Sequence, residues 1–245
     1  MSIFRTTALK CPACGTAVDF EAVYSVNADR RPDLRAAILD GTFQEQACPS
    51  CGEAFRLDPE FNLLDTQRGQ WIAAAPLNSL RHWKDLEDRA KALFERAYGA
   101  EASEGAQAIG RKLQTRVTFV WPALAEKLLA IDHELDDLTI ELCKAWIMRS
   151  VDSPIGAESE LRLLSVDDTQ LGFGWLLAAD GALGPTMKVE RSLYEQIDAD
   201  EDGGWEELRA EIGAGYFVDI NRLMIEPEPA PAEGADSPDA EAAPA

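Results

Sequence analysis

Four cysteines carry the clearest chemistry in this chain. Cys11-Pro12-Ala13-Cys14-Gly15 and Cys48-Pro49-Ser50-Cys51-Gly52 are two copies of one pentapeptide pattern. A two-residue spacer places both sulfurs of a pair on one side of a tight turn, and the glycine that follows can take the positive φ such a turn uses. Two such turns facing each other make a four-sulfur cage, the usual tetrahedral setting of structural zinc. The expected ligands of a single zinc ion are therefore Cys11, Cys14, Cys48 and Cys51. Four thiolates fill the shell and leave no position open for water or substrate, so the metal is expected to hold a fold together.

Two other chemistries share the pattern. Paired CxxCG turns also hold iron in rubredoxin-like electron carriers. Here Thr16 and Ala17 stand where such carriers usually place aromatic residues after the first pair, which favours zinc and keeps iron as the alternative. A redox dithiol needs one pair at a helix N-terminus, where the thiol pKa is lowered. Two pairs, each followed by glycine and preceded by Lys10 or Ala47, fit metal ligation better.

Other reactive residue types are sparse. Cys143 lies beside Leu142 and Trp146 in a helical pattern and reads as a small buried apolar side chain. His133 and Asp137 would share a face of a helix, but the acidic stretch from Asp132 to Asp137 reads as a turn in which Asp136 or Asp137 caps the next helix. His82 falls on a solvated flank. Gly172-Phe173-Gly174-Trp175 lacks the lysine and the helix start of a phosphate loop and reads as hairpin backbone. With two histidines in the chain and no GxSxG, HExxH or Walker pattern, no catalytic or cofactor-binding residue is assigned and a non-enzymatic protein is expected.

Alternation, proline and glycine mark the elements that position the cysteines. Val18, Phe20, Ala22, Tyr24 and Val26 alternate as one face of a strand. Pro32 suits the first turn of a short helix through Leu34, Ile38 and Leu39, with Gly41 beyond its end. Ala54–Leu57 and Trp71–Ala75 read as short strands. A helix from Asn78 or Ser79 to about Tyr98 carries an apolar stripe and stops at Gly99. Residues 99–110 read as a connection. Val117, Phe119 and Trp121 alternate as a strand ended by Pro122, which opens a helix; a further helix runs through Ile140, Cys143 and Ile147. Glu160–Val166 and Leu171–Ala178 read as a hairpin. A strand near Thr186–Glu190, short helices near Leu193–Ile197 and Trp205–Ile212, and an extended Tyr216–Ile225 follow.

The expected fold class is α+β: an N-terminal zinc ribbon with an inserted helix, a helical middle segment and a small C-terminal β-containing unit. The expected domains are 1–150, 151–225 and a tail, 226–245. The tail holds six acidic residues, no basic one and no large apolar one, so it is expected to be disordered.

These residues also carry a resemblance. The two Cys-Pro-x-Cys motifs, the stretch Val23-Tyr24-Ser25-Val26-Asn27-Ala28-Asp29, Pro32-Asp33-Leu34-Arg35, Glu126-Lys127-Leu128, Leu135-Asp136-Asp137 and Ile140-Glu141 resemble the CpXC protein family of bacteria and archaea, over roughly the first 130–150 residues. The resemblance implies the fold and the metal site and brings no activity with it.

Charge narrows the partners. The net charge is −21 over 245 residues, against a broad phosphate-binding surface, which needs clustered lysine and arginine. Nucleic acid is therefore not the expected partner; another protein is. No apolar run reaches membrane-spanning length and no signal-peptide core precedes Cys11. A reducing cytoplasm is expected, in which cysteines bind metal and do not pair as disulfides.

Overall fold

The computed structural model describes residues 2–151, 159–177 and 182–228. The fold is mixed α and β, with seven α-helices and three sheets among the described residues. Strands β1 (Ile3–Lys10) and β2 (Ala17–Asn27) form an antiparallel hairpin whose turn is the first cysteine motif. Helix α1 (Pro32–Leu39) follows with its proline in the first turn. Strands β3 (Glu45–Ala47) and β4 (Ala54–Arg56) form a second, shorter hairpin around the second motif. Strands β5 (Phe61–Asp65) and β6 (Gln70–Ala75), with β7 (Gln114–Phe119), complete a five-stranded sheet in the order β1-β2-β5-β6-β7. Neighbours alternate antiparallel and parallel across it.

The two faces of this sheet are buried separately. A single strand divides its side chains between them: Ile72 and Ala74 of β6 pack toward α1 and α4 (Val120–Asp132), while Trp71, Ala73 and Ala75 pack toward α2 (Trp83–Tyr98). A 3-10 turn, Leu77–His82, precedes α2. Helix α5 (Asp137–Ser150) starts at Asp136, whose carboxylate accepts the N–H of Thr139 at 3.1 Å. A third core joins α4 and α5 to an antiparallel sheet in the order β10-β9-β8, made of β8 (Ser159–Val166), β9 (Gln170–Leu177) and β10 (Leu183–Glu190), and to α6 (Arg191–Ala199) and α7 (Glu206–Ile212). Leu142, Cys143 and Ile147 thus meet Leu163, Phe173 and Val218 in one apolar cluster.

Several local expectations change. β1 and β5, not read from the sequence, pair on either side of β2. The face Val18-Phe20-Ala22-Tyr24-Val26 is interrupted by a bulge opposite Ile3 and Phe4, so Val23 is 4% exposed and Tyr24 37%. The connection 99–110 contains α3 (Glu104–Gly110), started by Ser103, whose hydroxyl accepts the N–H of Ala106. β7 ends at Phe119, and Trp121 belongs to α4. The extended stretch 216–225 contains a 3-10 turn, Ile220–Leu223, capped by Asp219. Of the tail, Glu228 is held by Arg81 and His82; Ala178 and residues 229–245 lie outside the described residues.

Candidate metal centre

Both cysteine motifs fold the same way. The N–H of Cys11 donates to Thr16 O and that of Gly15 to Cys11 O, each at 2.9 Å; the N–H of Cys48 donates to Glu53 O at 2.8 Å and that of Gly52 to Cys48 O at 2.9 Å. Gly15 and Gly52 sit at φ 72 and 76, where a side chain is strained. In each pair the first cysteine is buried and the second exposed.

Side chains hold the two hairpin tips together. β2 pairs with β5 only over Ser25–Asn27, so the first half of its edge has no neighbouring strand. Glutamines of the second hairpin take that place: Gln44 Oε1 accepts the N–H of Val23 at 3.2 Å and Gln46 Nε2 donates to Asp19 O at 3.1 Å. From below, Trp121 of α4 fixes β4. Its indole N–H donates to Leu57 O at 2.9 Å, and the Arg56 guanidinium lies 4.0 Å from its ring centre. Phe43 and Phe61 pack against the same indole, with ring centres 5.7 Å from it. Between the tips, Val18 and Phe55 close the apolar base under Cys11 and Cys48.

The four Sγ atoms lie within 4.8 Å of one another. Cys11 is 3.7 Å from Cys51, and Cys14 is 3.7 Å from Cys48, each contact crossing between the motifs. A tetrahedron with metal–sulfur bonds of about 2.3 Å has sulfur–sulfur edges of about 3.8 Å. The donor set therefore fits one tetrahedral ion, and these four cysteines, brought together, can bind a metal ion. Thr16 Oγ1, 3.3 Å from Cys14 Sγ, and the Thr16 backbone draw the Cys14 thiol down to about 6. The Glu53 backbone pulls Cys51 the same way, but burial and the other three sulfurs push it up to about 12.

With the fold and this geometry in view, the comparison with protein families is decisive. The CpXC protein model matches residues 9–144, from the strand before Cys11 to the middle of α5. The chain belongs to the CpXC protein family. No curated protein and no solved structure matches it.

The other CpXC residues singled out in the sequence converge on buried charge. Glu126 and Lys127 of α4 and Asp137, Glu141 and Lys144 of α5 form a network with Arg116, Arg162 and Asp219. Lys144 Nζ is 2.6 Å from Glu126 and 2.9 Å from Glu141. Glu126 accepts the N–H of Leu163 at 2.6 Å, and Glu141 accepts that of Ile220 at 3.0 Å. Burial opposes the charge of Glu126 and Asp137, but Lys144 and Lys127 respectively hold both below the ordinary carboxylate range. Burial wins at Glu141 and raises it. A second buried pair, Arg35 of α1 and Asp65 of β5, shares Asp132 with Arg68. Only a periodicity break hints at these groups in the sequence: Glu126, Lys127, Glu141 and Lys144 interrupt otherwise apolar stretches of α4 and α5.

The remaining candidates are placed apart from the cysteines. His133 is exposed just past α4, while Asp137 is buried under Arg116, so the two do not share a face. His82 Nδ1 is 3.0 Å from Glu228 O. Cys143 is fully buried, and desolvation pushes its thiol up to about 12. Gly172 and Gly174 lie inside β9. No described helix is long and apolar enough to cross a membrane.

Proposed function

We propose that this CpXC protein is a zinc-binding, non-enzymatic adaptor or regulator of the cytoplasm, in which one structural zinc ion ties the two hairpins into a zinc ribbon and the surface serves to bind another protein. The observation that carries the metal reading is the sulfur geometry: two crossing contacts of 3.7 Å, matching the edge of a zinc–thiolate tetrahedron. Four thiolates close the coordination shell, so the ion would supply no chemistry to a substrate; its role is to replace the apolar core that hairpins as short as β3–β4 cannot build. Cys11 and Cys48 would hold it from the buried side, Cys14 and Cys51 from the solvent side. The adaptor part rests on the strongly acidic surface, which disfavours a nucleic-acid partner.

The test is metal content and the visible spectrum of protein purified without added metal. One zinc per chain in a colourless protein, lost together with fold on chelation, is the expected result. A red protein with one iron per chain would replace this reading by a rubredoxin-like electron carrier, since an iron tetrathiolate has the same shape. The adaptor part is checked by recovery of a protein partner from its own cytoplasm; strongly salt-dependent retention on DNA or RNA would point instead to a nucleic-acid reader.

A further inference from the structure

The sheet face under α2 is covered only in part. Toward β5 and β2 it opens into a groove of 340 Å³. Ala73 and Ala75 of β6 and Asn62 of β5 make its floor; Leu86, Arg89 and Leu93 of α2 make one wall. Strands favour β-branched and aromatic residues, so two alanines on one face of a central strand leave the floor unusually low. Tyr24, turned out by the bulge in β2, stands at the opposite rim.

The described chain stops close to this groove. The N–H of Glu228 donates to Arg81 O at 2.7 Å, its carboxylate meets Arg81 at 2.8 Å, and its carbonyl lies 3.0 Å from His82 Nδ1. Ser79, which also lines the groove, precedes His82 by three residues in the same 3-10 turn. Residues three apart in a 3-10 turn share a face and rise about 6 Å, so Glu228 is held about one turn along from a groove-lining residue. Residues 229–245 contain only Ala, Pro, Gly, Ser, Asp and Glu. Fully extended as polyproline II they would span about 50 Å, roughly twice the ~24 Å length of a sixteen-residue helix such as α2. Their small side chains suit the low floor, and their carboxylates suit Arg89, with Glu60 the one acidic side chain among the groove's lining residues.

We propose that the groove between α2 and the sheet is a docking site for the chain's own segment 229–245, laid along it as an extended Ala/Pro strand with its carboxylates toward Arg89. The segment then covers the apolar floor and competes with any other extended segment for it.

The test uses the full chain with Ala235→p-benzoylphenylalanine, irradiated in dilute solution, with cross-links mapped by mass spectrometry. The expected result is intramolecular cross-links concentrated on Asn62–Ala75 and Leu86–Leu93. Adding Arg89→Glu, an exposed position, should reduce them roughly fivefold, the worth of one surface ion pair, with unchanged thermal unfolding. Cross-links between copies, cross-links spread over other faces, or a yield in the groove indifferent to Arg89→Glu would each overturn the proposal.

Discussion

Each cysteine motif is a local device, and single residues test it. In Cys48→Ser the buried root of the second hairpin loses a thiolate. The expected outcome is loss of bound metal together with a lowered melting temperature, followed by metal analysis and circular dichroism; a variant that kept full stability without metal would end the structural role. Gly15→Ala isolates the turn itself. A Cβ there meets nothing within 4 Å, so only the left-handed φ of 72 is penalised. The expected cost is about 1 kcal/mol, read from denaturant unfolding with the metal still bound. Lys144 behaves differently, because its ammonium is the shared partner of Glu126 and Glu141. Lys144→Met leaves two buried carboxylates short of a cation, and a loss of about 3–5 kcal/mol is expected in the same measurement.

At the scale of elements, the metal centre depends on how the β3–β4 hairpin is carried. Three-residue strands cannot hold themselves, and β3–β4 leans on Gln44 and Gln46 against β2 and on Trp121 of α4. Trp121→Ala removes the ring that joins Phe43, Phe61 and Arg56. It is expected to destabilise the fold by about 3–5 kcal/mol and to weaken metal retention against a chelator, although no ligand is altered. Chelator competition at a temperature where the variant is still folded separates the two effects. Two helix boundaries were legible for local reasons: Pro32 opens α1 and Asp136 caps α5. Trp121 was not, because Val117, Phe119 and Trp121 alternate as a strand would, and only contact with Leu57 shows that the chain has already turned into α4.

For the whole molecule, the buried network ties three stretches of chain together. Arg162 of β8 and Asp219 complete charges on α4 and α5, and Leu163 and Ile220 give their backbone N–H groups to Glu126 and Glu141. The matched family region ends at residue 144, yet the charges within it are satisfied from beyond it. A chain ending at residue 150 is therefore expected to be unfolded or aggregated, by circular dichroism and gel filtration, even with metal present. The network also sets the acid response. Asp137 and Asp219 are buried, which opposes their charge, but Lys127 and Arg162 respectively hold both below the usual carboxylate value of 3.8. Their contribution is complete above that value and is lost as pH falls through their lower folded values; Glu141, raised, runs the other way and favours folding on the acid side of its usual 4.5. Glu126, also held below its usual range by Lys144 against the cost of burial, adds a third carboxylate whose contribution is lost in acid. Melting temperature is expected to fall below about pH 4, with a shallower fall in Asp137→Asn.

The sequence by itself determined the cysteine pairs, the mixed α and β class, most helices and the family, because spacing, proline and glycine positions, and apolar period are local properties of the chain. Only the tertiary structure decided that the two motifs meet with sulfurs 3.7 Å apart. It also decided that β1 and β5 flank β2, and that Glu126, Lys127, Glu141 and Lys144 are interior. β1 is almost wholly exposed and offers no buried face to read. A buried ion pair looks like a surface charge until its partner, here as far away as Asp219, is folded against it. Pairing between distant residues is set by the closure of the chain, which no local pattern contains.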